Sequence, residues 1–215
     1  MKKIEGIWLP DNDQHFVTML SHSPRYLNAG TYQLKKYKAA LAHCTEGRRV
    51  AVDVGGHVGL WSRVMAGDFE AVHAFEPLPM HIECFERNTL GMGNVTLNQF
   101  ALGDAYGTIR VKAPFDNTGH AHVHPDGEEV QLRPLDAFEF PGIIDLLKID
   151  VEGFELEVVR GAEFTIRDHR PTIIVEQKPN NAELHGAKQH DATKLLESWG
   201  MRCTSIISGD HIMVW

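Results

Sequence analysis

Three groups of residues have types and spacings that could do chemistry. The first is Asp53-Val54-Gly55-Gly56-His57-Val58-Gly59, which follows an apolar, β-branched run. Closely spaced glycines between a strand and a helix admit positive φ and let backbone N–H groups approach a ligand. Asp53, two places before the first glycine, would repel a pyrophosphate but attract a cationic or hydroxyl-bearing ligand. A dinucleotide fingerprint started at Gly55 needs a glycine where His57 stands, and no Gly-Lys-Ser/Thr follows to make a P-loop. The second group is Glu76 in Ala74-Phe75-Glu76-Pro77, where an adjacent parallel strand would offer a carboxylate to ribose hydroxyls. The third is Lys148-Ile149-Asp150-Val151-Glu152, three ionisable groups at alternate positions of a run that otherwise reads as a buried strand. An unpaired buried charge costs several kcal/mol, so such groups are either paired or used. Two readings follow: a Lys148–Glu152 ion pair that holds the strand end, or Asp150 beside a reacting centre with Lys148 and Glu152 orienting what reacts. Glu176, closing the run Thr172-Ile173-Ile174-Val175-Glu176, adds a further carboxylate at an adjoining strand end.

These groups need a frame that brings strand ends together. Short apolar runs at 49–53, 71–75, 95–99, 144–149 and 172–176 read as strands, and helical period lies between most of them. In 154–167, Phe154, Val158, Ala162 and Ile166 form one apolar stripe, leaving Glu155, Glu157, Glu163 and Arg167 to face water. Shorter helices are expected at 81–89 and 192–199, and one at 33–43 before the first strand. Alternating strands and helices imply an α/β fold, a single doubly wound, mostly parallel sheet covered on both faces. Two regions break the alternation. Residues 108–132, with Pro114, Asn117, Gly119, Pro125 and Gly127, suit an inserted β excursion over one end of the sheet. Residues 204–215 read as strand, Gly209-Asp210 turn and strand, a C-terminal antiparallel hairpin that completes seven strands. Trp8, Pro10 and Asp11-Asn12-Asp13 read as loop. Domain organisation is then an N-terminal cap, 1–48, and one domain, 49–215.

Composition narrows the partners. With 215 residues the chain suits one domain, and its net charge of −8 disfavours binding to nucleic acid or to anionic lipid. No apolar window is long enough to span a bilayer, and Met1-Lys2-Lys3 does not lead into a signal-peptide core, so a soluble, cytoplasmic protein is expected. Three cysteines without CxxC spacing suggest reduced thiols rather than disulfides or a zinc site. His120, His122 and His124 would share one face of a strand, but alternate residues lie about 7 Å apart, wide for a single ion, so a solvated face is expected. No metal site is assigned.

A ligand carrying both an ammonium and a sulfonium, S-adenosylmethionine, suits the acidic, glycine-lined strand end. The chain resembles class I S-adenosylmethionine-dependent methyltransferases, and more narrowly the FkbM family, over about 50–177. The blocks that carry the likeness are Asp53-Val-Gly-Gly-His-Val-Gly-Leu-Trp-Ser62, Phe75-Glu76-Pro77 with Ala101-Leu102-Gly103-Asp104, and Leu147-Lys148-Ile149-Asp150-Val151-Glu152-Gly153-Phe154-Glu155. His57 stands where the family usually has Asn. The resemblance implies a Rossmann-like fold, with Asp53, Val54, Gly55, Gly56, His57, Gly59, Glu76, Pro77, Ala101, Leu102 and Asp150 at the cofactor. It implies O-methylation of a sugar, glycan or small metabolite, and an Asn-containing loop, here Asn117, over the acceptor. Lys148, Asp150, Glu152 and Glu176 are the candidate catalytic groups. An aliphatic hydroxyl needs either a carboxylate base, Asp150 or Glu176, or a divalent cation held by those carboxylates. The metal-free base is favoured because Lys148 opposes a cation. Trp8, His15, His22, Arg25 and Tyr26 are candidates to close the acceptor pocket, and a homodimer is possible. The alternatives are a cofactor-binding protein without transfer activity and, weakened by His57, a nicotinamide oxidoreductase.

Overall fold

The computed structural model describes residues 1–22 and 33–215. A hairpin of β1 (Lys2–Ile4) and β2 (Ile7–Leu9) comes first, followed by helix α1 (His15–His22). The region read as loop around Trp8 is thus partly strand. Glu5 and Gly6 both take positive φ (47° and 85°), which lets a two-residue turn join such short strands. Helix α2 (Leu34–Leu41) then leads to the core, as expected.

The core alternates strand and helix: β3 (Val50–Val54), α3 (Leu60–Asp68), β4 (Ala71–Phe75), α4 (Pro79–Asn88) and β5 (Val95–Asn98). Next come the strands β6 (Ala101–Leu102), β7 (Gly107–Lys112), β8 (His122–Val123) and β9 (Glu128–Arg133). The alternation resumes with β10 (Ile144–Ile149), α5 (Glu155–Arg160), α6 (Glu163–His169) and β11 (Thr172–Glu176). Helix α7 (Asp191–Ser198) and the hairpin β12 (Arg202–Ile207) and β13 (Asp210–Val214) end the chain.

The seven-stranded sheet runs β12-β13-β11-β10-β3-β4-β5. Every neighbouring pair from β11 to β5 is parallel, while β13 is antiparallel to both of its neighbours. Strand order reverses between β3 and β10, and in such sheets the crevice for ligands lies at the carboxyl ends beside that reversal. Period two divides the core. Leu147, Ile149, Ile173 and Val175 pack with Val158, Val159 and Ile166 on one face, while Leu146 and Ile174 pack with Tyr37, Trp61 and Met65 on the other. Among the described residues no helix is long and apolar enough to cross a membrane.

Four local expectations need correction. The stripe in 154–167 does bury Val158, Ala162 and Ile166, but the helix is broken into α5 and α6. A Cβ on Gly161 would collide with the backbone carbonyl of Gly103, and the Asp136 carboxylate caps the N–H groups of Phe164 and Thr165, starting α6 afresh. Glu155 does not face water: it is 3% exposed and accepts the N–H groups of Val151 and Gly153. The C-terminal turn is one residue earlier than expected, at Ser208-Gly209, because Ile207 pairs with Asp210 and both turn residues take positive φ. Residues 101–133 do form a β excursion, a separate sheet ordered β6-β9-β7-β8, but Thr118–His120 is a single helical turn. His120 therefore leaves the expected line of alternate histidines.

Candidate active site

The glycine loop is shaped mainly by the protein around it. Gly55 has φ 78°, and a Cβ there would collide with the backbone carbonyl of Asp150. At Gly56 and Gly59 the nearest atoms to an added Cβ belong to the Phe85 ring, at 3.2 and 3.1 Å, so these glycines make room for α4. The loop N–H groups are also occupied. Those of Gly55 and Gly56 donate to the Phe75 carbonyl, each at 3.0 Å, and that of His57 donates to Glu76 Oε2 at 2.9 Å. Glu76 Oε1 accepts from Leu78 N–H at 3.0 Å and lies 3.1 Å from His81 Nδ1. Glu76 thus ties the loop after β3 to the loop after β4, where the parallel register places Val54 beside Phe75.

Over these strand ends lies a hollow with about 630 Å³ of empty space, part of it open to solvent. Val54, Gly55, His57, Glu76, Pro77, Ala101, Leu102 and Asp150, all expected at a cofactor, line it. So do Phe100, His81, Thr118 and Phe154, together with Ile109, Val111 and Val123 of the inserted sheet. A second hollow of about 370 Å³ is lined by Phe16, Gly56, Trp61 and Lys148, and it shares Gly55, His57, Gly119 and Asp150 with the first. Asp53 and Gly59 line neither. Asp53 is fully buried, with Oδ2 accepting from the Ser62 hydroxyl at 2.7 Å and Oδ1 3.0 Å from Lys148 Nζ, so its charge is answered inside the protein.

The Lys148–Glu152 pair does not form. Strand β10 stops at Ile149, and Glu152 sits in a turn at φ 52°, so the period-two relation fails beyond the strand end. Lys148 instead meets Asp53, the carbonyls of Val54 and Gly55 at 3.3 and 3.1 Å, and Asp150 at 3.8 Å. Burial lowers the Lys148 pKa, but Asp53 and Asp150 outweigh it and the net shift is upward. Glu152 pairs with Lys178 at 2.9 Å and accepts from the Asn181 amide at 2.8 Å. Lys178 also reaches Glu176 at 2.8 Å. Oxygens of Asp150, Glu152 and Glu176 lie within 4.8 Å of one another. Burial, then Asp150 and Glu152, push the Glu176 carboxyl up to about 10 against the pull of Lys178. Glu152 and Glu176 are buried and line neither cavity, which leaves Asp150 as the member of this cluster open to a ligand.

A hydrogen-bond chain closes the near side. Asp13, fully buried, accepts Phe16 N–H at 2.7 Å, capping α1, and accepts both the N–H and the hydroxyl of Thr118 at 3.0 and 2.6 Å. Thr118 Oγ1 lies 3.0 Å from His57 Nε2. With the Thr118 hydroxyl donated to Asp13, its oxygen accepts from Nε2–H, which assigns the tautomer of a neutral His57. Burial, with His81, Lys148 and His15 adding, holds the His57 pKa well below its usual value. Asn117 does not reach either cavity; it lines an open groove with His15, Thr18 and Met19, and its Oδ1 is buried without a hydrogen-bond partner among the described residues. His15 faces His120, whose Nε2 is 3.9 Å from Glu152. Trp8 lies elsewhere, under Lys3 and Arg87 and bonded to Asn88. Arg25 and Tyr26 lie outside the described residues, and of His22 only the backbone is described. Lys178, Asp13, His81 and Phe100 escaped the sequence reading. Asp13 carried a usable signal, an Asp three places before the first apolar residue of a helix.

A family model described as the methyltransferase FkbM domain matches residues 53–203. The curated protein Methyltransferase 1 of Beauveria bassiana is 27% identical over 180 residues, covering 69% of this chain and 70% of that protein. Among solved structures, methyltransferase FkbM from Methylobacillus flagellatus is 20% identical with a TM-score of 0.50 over 78% of this chain. The chain spans 43% of the length of that protein. Fibrillarin from Aeropyrum pernix, solved with natively bound S-adenosyl-L-methionine, is 18% identical with a TM-score of 0.50, covering 83% of this chain and 73% of its own. At these identities the structural likeness speaks for the fold.

Proposed function

This chain belongs to the FkbM family of S-adenosylmethionine-dependent methyltransferases, and on that premise we propose that it O-methylates a hydroxyl of a sugar, glycan or other small metabolite. The observation that carries this reading is the pair of adjoining cavities at the strand-order reversal, with Asp150 on the wall common to both. The larger one suits the adenosine portion of the cofactor. Phe100, Leu102 and Phe154 offer apolar surface to the base, and Glu76 Oε2, which accepts one N–H, has acceptor capacity left for a ribose hydroxyl. The methionine portion then lies toward Gly55, His57 and Lys148, and the acceptor enters past Phe16 and Gly119.

The bound cofactor supplies an electrophilic methyl group on a sulfonium. Transfer would be an in-line displacement at that methyl group, for which this chain must align the acceptor oxygen and take up the hydroxyl proton. Asp150 is the carboxylate that can receive it, since Glu152 and Glu176 are buried behind it on Lys178. Lys148, anchored on Asp53, holds a positive charge 3.8 Å from Asp150. Neutral His57 lines both cavities without adding a charge that would repel a sulfonium.

The experiment is methyl transfer from labelled cofactor to a panel of glycans, hydroxylated metabolites and amines. Asp150→Asn should lower kcat by roughly 10²- to 10⁴-fold, the range of general-base effects, with little change in S-adenosylhomocysteine affinity. Transfer to amines alone, or wild-type turnover by Asp150→Asn, would overturn the reading.

A further inference from the structure

Three carboxylates with oxygens within 4.8 Å of one another form a hard, oxygen-only donor set of the kind that takes a divalent cation. Glu176 is only 2% exposed at its side chain, and its Oε2 is buried without a hydrogen-bond partner among the described residues. That oxygen has acceptor capacity that no described residue fills. Lys148 does not answer it, being held by Asp53 at 3.0 Å and by two backbone carbonyls. Lys178 meets the other oxygen of Glu176. Its Nζ sits 2.9 Å from Glu152 and 2.8 Å from Glu176, just past the end of β11, and its side chain is 35% exposed. The ammonium therefore bridges two of the three carboxylates.

We propose that Lys178 supplies, from the chain itself, the cation that the Asp150, Glu152 and Glu176 cluster would otherwise take from solution as a divalent metal ion. Lys178 is a positioning residue. By engaging Glu152 and Glu176 it leaves Asp150 as the carboxylate free to face the acceptor, and it fills the volume a metal ion would need. The cluster then works without metal in the native chain and becomes a metal site once the ammonium is removed. Only the kinetic arm of the test rests on the proposed transfer reaction; the metal-binding arm is independent of it.

The test uses the full chain as wild type, Lys178→Arg, Lys178→Met and Lys178→Gln, each checked for a cooperative thermal transition. The probe is Mn²⁺ alone, its free concentration followed by electron paramagnetic resonance. Wild type and Lys178→Arg should show no stoichiometric Mn²⁺ binding, and any transfer activity should survive EDTA. Lys178→Met and Lys178→Gln should bind one Mn²⁺ per chain at least about tenfold more tightly than wild type, a difference of roughly 1.4 kcal/mol. A Lys178→Met, Glu176→Gln double variant should lose that ion. Transfer by the neutral variants should fall in EDTA and recover with Mg²⁺. Tight Mn²⁺ binding or EDTA sensitivity in wild type overturns the proposal, as do folded neutral variants that bind no Mn²⁺. Should neither neutral variant fold, the wild-type titration decides: a bound ion overturns the proposal, and its absence with EDTA-resistant transfer supports it. Absence of transfer with every acceptor would count against the proposed reaction, while the Mn²⁺ titrations would still decide the role of Lys178.

Discussion

Glu155 lies beneath the turn that carries Asp150, where burial pushes its pKa from 4.5 up to about 7 against the hydrogen bonds from Gly153 and Val151. A raised folded-state pKa in an acid means that the folded chain binds its proton more tightly than the unfolded chain. The associated stability is present below about pH 4.5 and is lost as pH rises toward 7. Glu155→Gln keeps the acceptor oxygen and removes the titration, so it should melt at a higher temperature than wild type at pH 8, by up to about 3 kcal/mol in stability, with the gap closing at pH 4.5. Glu76→Ala should weaken S-adenosylhomocysteine binding by roughly 1.5 to 3 kcal/mol in a calorimetric titration. Because Glu76 also accepts from His57 and Leu78, the alanine variant should lose stability too, and Glu76→Gln separates the two effects. Glu76 and Asp150 were legible in the sequence because a carboxylate at a parallel strand end is conspicuous among apolar neighbours. The true partners of Asp53 and Glu152 were not, since Lys148 meets Asp53 through strand register and Lys178 meets Glu152 where two loops converge beyond the strand ends, neither of which local spacing encodes.

At the scale of elements, apolar period found the core strands and most helices, while backbone contacts between distant segments decided where they break. Gly161 is the case in point: nothing in 154–167 announces that Gly103 lies against it. Gly161→Ala should destabilise by about 1 to 3 kcal/mol, the usual cost of overpacking, seen as a lower denaturant midpoint at unchanged slope. An equal stability would mean that α5 and α6 are separated for another reason. Turn chemistry misled by one residue at Ser208-Gly209, because serine rarely advertises the positive φ it takes there. The N-terminal hairpin was missed since three-residue strands give period two almost no room to show.

For the whole molecule, the doubly wound sheet and its inserted β region follow from the order of runs, and with them the end of the sheet over which the two cavities lie. How the N-terminal cap meets the insertion did not follow, because Asp13 and Thr118 are joined only in the folded chain. Asp13→Ala removes three hydrogen bonds between them and α1, at about 1 kcal/mol each. Faster amide exchange should appear together at 13–18 and 116–120, with KM for the acceptor rising more than the cofactor Kd; exchange confined to one segment would show that the two do not act as a unit. Gly55 and the Asp150 carbonyl, finally, touch so closely that no side chain fits between them. A side chain at Gly55 would therefore push away the segment that carries Asp150, the base of the proposed transfer. Glycine at 55 is thus a condition for keeping the loop after β3 and the turn after β10 side by side.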